Sequence, residues 1–338
     1  MRHFLILCLL LAGLGRPALA AEQGLQFFRI ATGSAASTAF PVGMAIATAI
    51  SNPPGSRPCE KGGSCGVPGL VAVAQTSEGS VANIAAVAGG LMDSAFAQSD
   101  LIYGAVRGEG IYFQRARFAN LRVIANLFPN AVHLVVRKGS GITKVGDLAG
   151  KRVSIDQPGS GTRLNVELIL GAFNMRLNQL KVFEVDPGAA FDLFQKDELD
   201  AFFVIGGYPV AAVADLAESG LADLVPLGAQ PAFQNLRRFR FFTRDTIPAG
   251  TYKGISATDT LSIGIQWVVN ERMDEELVYQ VTRALWQKRN RTLLDSGHEK
   301  GRAIQLGTAL EGVTTSLHPG AARYYREVGL LKGDEPTE

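Results

Sequence analysis

The chain has 338 residues, of which 33 are lysine or arginine and 31 are aspartate or glutamate, so its formal net charge is only +2. A charge so close to zero argues against a nucleic-acid partner and against a general attraction to anionic membranes. The length is sufficient for two domains of ordinary size.

The first twenty residues have the pattern of a secretory signal peptide. Arg2 and His3 precede an apolar stretch from Phe4 to Leu14, and Ala18-Leu19-Ala20 supplies the small residues of a cleavage site. The apolar stretch is too short for a membrane-spanning helix, which needs about 20 residues. We therefore expect a periplasmic protein, cleaved after Ala20.

After this segment, short β-rich runs alternate with longer helical patterns, which indicates parallel sheets covered by helices. The elements predicted for the first half are a strand Phe27–Ala31, a helix Pro41–Ile50, a strand Val71–Gln75, a helix Ser80–Ala88 and a strand Asp93–Ala97.

A Pro/Gly-rich excursion from Asn52 to Pro68 carries the two cysteines of the exported chain, Cys59 and Cys65. In an oxidising compartment, a close cysteine pair across a Gly-rich turn is most simply a disulfide. A redox or metal role is the alternative, but the spacing is not C-x-x-C and no paired histidine lies nearby. We expect a structural disulfide.

The second half begins with two strand-like runs, Leu121–Leu127 and Val132–Arg137, on either side of Phe128-Pro129-Asn130. The elements predicted after them are a strand Arg152–Ile155, a helix Arg163–Phe173, a strand Leu199–Ile205, a return crossing Phe239–Thr243, a strand Leu261–Val269 and a helix starting near Asp274.

This order predicts two α/β lobes, each a mainly parallel sheet flanked by helices. Lobe I is predicted to comprise residues 21–128 and 246–338, and lobe II residues 129–245, with hinge crossings near 128–132 and 239–246. Ligands of open α/β sheets bind outside the carboxyl ends of the strands. A cleft between the lobes would gather the loops at those ends into one site.

Small polar loops follow four of the predicted strands. In Gly159-Ser160-Gly161-Thr162, glycine lets the backbone approach a ligand, and the following helix supplies N–H donors and a partial positive charge. Arg163 adds a full charge in the first turn, so the loop suits a carboxylate or a phosphate. A plain capped turn with Arg163 in solvent is the alternative interpretation.

The three other polar loops are residues 33–38, residues 75–80 with Asn83 one turn into the next helix, and residues 98–100. Capping alone explains any one of them. Four such loops on the same side of their sheets favour a binding cleft.

The sequence shows no catalytic apparatus. His133, His298 and His318 stand outside any metal-like or triad-like motif, and the G-x-S-x-G elbow is absent. The glycine-rich loop is neither a P-loop nor a full dinucleotide fingerprint. We therefore expect a binding protein without catalytic residues, metal or cofactor.

An ordered set of short motifs through nearly the whole exported chain resembles the TAXI class of extracytoplasmic solute receptors, which serve TRAP transporters. The motifs are Gly79-Ser80-Val81-Ala82-Asn83, Ala97-Gln98-Ser99-Asp100, Asp147-Leu148-Ala149-Gly150-Lys151, Gly159-Ser160-Gly161-Thr162, Gly206-Gly207-Tyr208-Pro209, Gly250-Thr251-Tyr252 and the run from His318 to Tyr325. The resemblance implies a type II periplasmic-binding-protein fold whose two lobes close at a hinge.

Carried over by position, the resemblance also implies a set of ligand contacts, to which the loop analysis adds Gly161 and Arg163. The implied contacts are Ser34, Thr38, Ser80, Asn83, Gln98, Ser160, Thr162 and Tyr208. Two positions depart from the family pattern. Phe40 stands where many relatives have an aromatic hydroxyl, and Arg163 stands where an acidic residue is common.

We therefore expect a monomeric periplasmic receptor that captures a small organic anion, namely a dicarboxylate, a 2-oxoacid or an acidic amino acid. The resemblance implies delivery to an integral-membrane, sodium-driven TRAP permease. An exported transferase or lyase on the same fold is one alternative, and it would need an acid–base pair in the cleft. A ligand sensor for a membrane kinase is another, because it begins with the same binding event.

Overall fold

The computed structural model describes residues 24–114, 116–228, 233–236 and 241–332. The predicted signal peptide, residues 1–20, and its cleavage site lie outside the described residues. No helix in the described ranges has both the length and the apolar character needed to cross a membrane.

The described residues form a mixed α/β fold. Its strands are β1 (Gln26–Ala31), β2 (Ser51–Asn52), β3 (Val67–Pro68), β4 (Leu70–Gln75), β5 (Ser94–Gln98), β6 (Leu121–Arg137), β7 (Arg152–Ser154), β8 (Lys181–Phe183), β9 (Ala201–Gly206), β10 (Ala222–Leu224), β11 (Thr243–Ile247) and β12 (Thr258–Asn270). Its α-helices are α1 (Ala39–Ile50), α2 (Ser80–Ala88), α3 (Ser99–Arg107), α4 (Gly161–Ala172), α5 (Pro187–Gln195), α6 (Ala211–Glu218), α7 (Phe233–Leu236), α8 (Glu275–Leu285), α9 (Arg291–Gly297) and α10 (Pro319–Glu327).

One large sheet runs through the molecule in the order β4-β1-β5-β12-β6-β9-β7-β8, with β10 paired to β6 and β11 to β12. Strands β4, β1 and β5 are mutually parallel, and so are β9, β7 and β8. The long strands β12 and β6 lie between these two groups and are antiparallel to their neighbours. Each lobe is therefore a parallel group closed by a segment of the long strands.

The sequence predicted two runs where the structure has the single strand β6, which continues through Pro129. Proline removes a hydrogen-bond donor, so a strand tolerates it best where the ladder is already irregular. Pro129 lies opposite Gly264 of β12, and the pairing shifts register between Ile265 and Gln266. This irregular pairing explains why the strand does not end at the proline.

The buried apolar side chains form separate cores. The first core lies in lobe I and includes Trp267, whose indole ring packs edge-on against Phe28 and Phe96 at centroid distances of 6.2 and 6.5 Å. Two further cores lie in lobe II, and successive residues of β9, such as Phe202 and Phe203, belong to different ones. Because successive strand residues point to opposite faces, the lobe II sheet is covered on both sides.

The cores also indicate where the chain passes between the lobes. On β6, Phe128 packs in the first core and Val132 in a lobe II core, so we propose that the chain passes between the lobes along this stretch. The lobe limits themselves remain a prediction. Because Tyr252 packs in a lobe II core, we propose that the return passage lies within β12, between Ile263 and Ile265, rather than at 239–246.

The predicted disulfide is present in the structure. Cys59 and Cys65 are bonded, with their Cα atoms 4.9 Å apart. The excursion that carries them also contains β2 and β3, which pair as a separate two-stranded sheet. It is fixed to lobe I because the backbone N–H of Cys65 donates to Oδ1 of Asn290 at 2.8 Å. The disulfide therefore staples a loop on the outside of the lobe.

Candidate ligand-binding site

A cleft with a volume of about 70 Å³ lies between the lobes. Lobe I contributes residues from the loops that follow β1 and β4 and from the end of β5, and lobe II contributes the loop that follows β7 and the end of β9. These loops are those that the sequence analysis placed at the carboxyl ends of the strands. Seven of the predicted contacts line this cleft: Ser34, Thr38, Ser80, Gln98, Ser160, Gly161 and Thr162.

Three helices begin at residues that line the cleft. Ala39 starts α1, Ser80 starts α2 and Gly161 starts α4, so both lobes present helix N-termini to the same space. The first turn of a helix has N–H groups without an intrahelical partner and carries a partial positive charge. This arrangement suits an anionic group on a ligand.

The lobe II loop is held in shape by Asp156, which the sequence analysis did not select. Asp156 has a φ of +74°, and its carboxylate accepts hydrogen bonds from Oγ of Ser160 at 2.6 Å and from the N–H of Gln157 at 2.8 Å. Oγ of Ser160 in turn accepts from the N–H of Thr162 at 3.0 Å. Burial raises the pKa of Asp156 above its usual value. An aspartate between a strand and a Gly/Ser loop is the signal that could have identified it.

Gln98 and Gly161 meet across the cleft. Oε1 of Gln98 accepts a hydrogen bond from Nδ2 of Asn165 at 2.7 Å, and both side chains are buried. The N–H of Gln98 donates to Oγ of Ser80 at 3.1 Å, so the Gln98 backbone is fixed within lobe I. A Cβ atom on Gly161 would lie 2.7 Å from Cδ of Gln98. A larger residue at 161 would have to displace the Gln98 side chain from this contact between the lobes.

A second set of contacts joins the lobes at Thr38 and Tyr208. Oγ1 of Thr38 donates to the carbonyl oxygen of Gly207 at 2.7 Å. Tyr208 was predicted as a ligand contact, but it is not among the residues that line the cleft. Its ring lies under the ammonium of Lys300, which is 3.2 Å from the ring centroid. Lys300 belongs to the predicted lobe I, so Tyr208 contributes to contact between the lobes.

Asn83 is also absent from the cleft lining. Its side-chain amide donates to the carbonyl oxygens of Thr32 at 3.0 Å and Phe96 at 2.8 Å. Asn83 is 1% exposed, and these bonds tie the loop after β1 to β5. The structure therefore gives it a positioning role behind the cleft.

Arg163 was predicted as a ligand contact, but it is not among the residues that line the cleft. Its guanidinium pairs with Glu184 and, at 2.7 Å, with Glu167 on the same helix. Successive helix residues are rotated by roughly 100°, so Gly161 and Thr162 can face the cleft while Arg163 faces the outer surface. Sequence position alone could not reveal this direction.

We expect Arg163→Gln to leave solute affinity within about twofold of wild type, because its ion pairs are partly exposed and contribute at most about 1 kcal/mol. Ser160→Ala is the matched contrast one turn away, and it should weaken binding. Isothermal titration calorimetry of both variants measures this difference. A tenfold loss of affinity in Arg163→Gln would show that the guanidinium acts on the ligand.

Two polar atoms in the cleft lining have no hydrogen-bond partner within the protein. They are Oγ of Ser34 and Oδ1 of Asn130, and both atoms are inaccessible to solvent. A buried polar atom without a partner costs about 1–3 kcal/mol. A bound ligand that pairs with these atoms would remove that cost.

The ionisable side chains of the cleft lining are acidic. Glu78 and Asp156 line it, and no lysine, arginine or histidine does so among the residues the structure describes. An anionic group on a ligand would therefore be held by helix N-termini and hydroxyl groups. Within the same described ranges, no three histidine, cysteine or carboxylate side chains are grouped so that they could hold a metal ion.

Comparison with known proteins identifies a family and a fold. The sequence pattern of the NMT1-like family matches residues 30–329. A protein from Bordetella bronchiseptica RB50 is similar in structure, with a TM-score of 0.51 and 15% identity over 92% of this chain and 91% of that chain. MatC from Rhodopseudomonas palustris, solved with bound malate, has a TM-score of 0.51 and 14% identity over 80% and 88%. At these identities the likeness concerns the fold, and the predicted α/β class of periplasmic binding proteins is confirmed.

Proposed function

The chain belongs to the NMT1-like family, and from this premise we propose that it is an exported solute-binding protein that delivers a small solute to a membrane transporter. The observation that carries the proposal is the cleft itself. It is lined by polar loops from both lobes, receives the N-termini of α1, α2 and α4, and contains two buried polar atoms without partners.

Closure of the lobes over the solute is the proposed mechanism. Besides the Thr38 and Gln98 contacts, the carbonyl oxygen of Gly159 accepts hydrogen bonds from the N–H groups of Val81 and Ala82 at 3.1 and 3.3 Å. These bonds join the loop of lobe II to the first turn of α2 in lobe I. A solute that binds both lobes shifts the population toward this closed form, which a transporter then recognises.

The proposed ligand class is a small organic acid: a dicarboxylate, a 2-oxoacid or an amino acid. Its carboxylate would lie at the N-termini of α1 and α4, because the N–H groups of Val81 and Ala82 in α2 already donate to Gly159. There, N–H groups and hydroxyls replace an ion pair. The presence of malate in MatC, a protein of similar fold, is consistent with this class. The proposed transporter is a TRAP permease, on the strength of the motif set that resembles the TAXI class.

Calorimetric titration against dicarboxylates, 2-oxoacids and amino acids tests the binding proposal. We expect one saturable, one-to-one response within this set. The absence of a saturable response from every member would contradict the proposal. The transporter is tested separately, because uptake by a TRAP permease in liposomes should require both this protein and a sodium gradient.

A further inference from the structure

We propose that the side chain of Asn130 accepts a hydrogen bond from the solute. The preferred ligand is then an organic acid with an amino or hydroxyl group. This inference rests on the proposed function and narrows its ligand class. It concerns a residue that the sequence analysis placed between two strands and did not select. The structure instead places Asn130 inside β6, at the passage between the lobes.

The Asn130 amide has one acceptor without a partner. Nδ2 donates to the carbonyl oxygen of Ile205 on the adjacent strand β9 at 3.4 Å. Because a carbonyl can only accept, this bond assigns the nitrogen to the strand side and leaves Oδ1 as the other amide atom. Asn130 is 5% exposed and lines the cleft, and Oδ1 has no partner within the protein.

An unpaired buried carbonyl oxygen requires a hydrogen-bond donor, and within the described residues no donor is bonded to Oδ1 of Asn130. The charged residues of the lining, Glu78 and Asp156, are carboxylates. The donor must therefore come from the solute or from solvent that enters with it.

A solute that pairs with both the helix N-termini and Oδ1 of Asn130 carries two kinds of group. An oxoanion suits the helix N-termini, and an ammonium or hydroxyl group suits Oδ1 of Asn130. A 2-oxoacid or an unsubstituted dicarboxylate offers the carbonyl only acceptors or C–H groups. It would leave the buried oxygen unpaired, which is the situation in which polar sites discriminate most strongly.

The test compares acids that share a skeleton and differ at one substituent. The probes are glutamate, 2-hydroxyglutarate, 2-oxoglutarate and glutarate, with the four-carbon set aspartate, malate and succinate and the three-carbon set alanine, lactate and pyruvate. We expect wild type to bind the amino or hydroxy member of the preferred skeleton at least about tenfold more tightly than its oxo or unsubstituted counterpart.

Asn130→Ala should remove this preference by weakening the donor-bearing ligand about tenfold while changing the counterpart by less than about twofold. Asn130→Asp keeps an acceptor and should retain the preference for an amino acid. Asn126→Ala is the matched control, because Asn126 lies on the same strand outside the cleft lining. Its selectivity should equal that of wild type.

Equal affinity of wild type for the donor-bearing and oxo members would overturn the inference and leave the proposed function standing. The same holds if Asn130→Ala weakens both members equally. If Asn130→Ala does not fold, the inference is tested by the selectivity of wild type and of Asn130→Asp between the donor-bearing and oxo ligands. If wild type binds none of the probes, the proposed function itself is contradicted, and the inference falls with it.

Discussion

Replacing Gly161 with valine is expected to weaken solute binding by about a hundredfold while the unliganded protein keeps its fold. The new side chain would meet Cδ of Gln98 at 2.7 Å and Cδ1 of Leu101 at 3.0 Å when the lobes are closed. Both neighbours belong to the predicted lobe I and Gly161 to lobe II. The clash therefore exists in the closed form and is relieved when the lobes separate.

The size of the effect follows from two costs. Closure would displace the Gln98 side chain and break its hydrogen bond to Asn165, and the added methyl groups would overpack the contact. Together these costs amount to about 3 kcal/mol, or roughly a hundredfold in the dissociation constant.

Gly171→Ala is the matched control, because Gly171 lies on the same helix and a Cβ there meets no atom within 4 Å. It should bind as wild type does and melt at the same temperature or slightly higher. Calorimetry gives the affinities, and thermal melting without solute gives the stabilities. Wild-type affinity in Gly161→Val would show that closure at this contact is not part of binding.

Acid is expected to remove about 3 kcal/mol of stability through His133 between pH 7 and pH 4. His133 is 1% exposed in lobe II, and its Nδ1 lies 3.0 Å from the carbonyl oxygen of Ala131. Nδ1 must carry the proton, so Nε2 accepts from the hydroxyl of Tyr252 at 2.9 Å. The same hydroxyl accepts from the N–H of Val210 at 2.9 Å.

Burial lowers the pKa of His133 from 6.5 to about 4. The folded state therefore binds fewer protons than the unfolded state at intermediate pH. The stabilisation is complete above pH 6.5 and is lost progressively as the pH falls toward 4. A protonated ring would also deprive the Tyr252 hydroxyl of the acceptor for its own hydrogen.

Asp100 acts in the opposite direction, because burial raises its pKa to about 6 and its protonation favours the folded state. The His133 contribution is therefore isolated as the difference between wild type and His133→Gln in urea unfolding. That difference should shrink by about 3 kcal/mol from pH 7 to pH 4. Tyr252→Phe, which removes the hydroxyl, should be less stable than wild type at pH 7. A pH-independent difference would show that His133 does not titrate in this way.

The sequence predicts the side of the sheet on which the cleft lies, because polar loops must follow strands that end at the same edge. It does not predict the direction of side chains within a helical turn. Asn83 and Arg163 are both close in sequence to residues that line the cleft. Asn83 nevertheless joins the loop after β1 to β5, and Arg163 pairs with glutamates on the surface.

The sequence pattern also could not identify residues whose roles depend on partners far away in the chain. Asn165 donates to Gln98 across the two lobes, and the two residues are 67 positions apart in the chain. Asn130 follows a proline, which suggests a break between two strands. In the structure β6 continues past this proline, because it stays paired with β12 there. The positions of both residues depend on contacts between segments far apart in the chain, which a local sequence pattern does not show.

Capture of a solute between the lobes is tested most directly by native mass spectrometry after incubation with the organic-acid probes. We expect wild type to carry one added mass that matches a single probe, and Gly161→Val to show only its bare mass under the same conditions. A bare mass for wild type with every probe, or the same adduct on both proteins, would contradict binding by closure of the cleft.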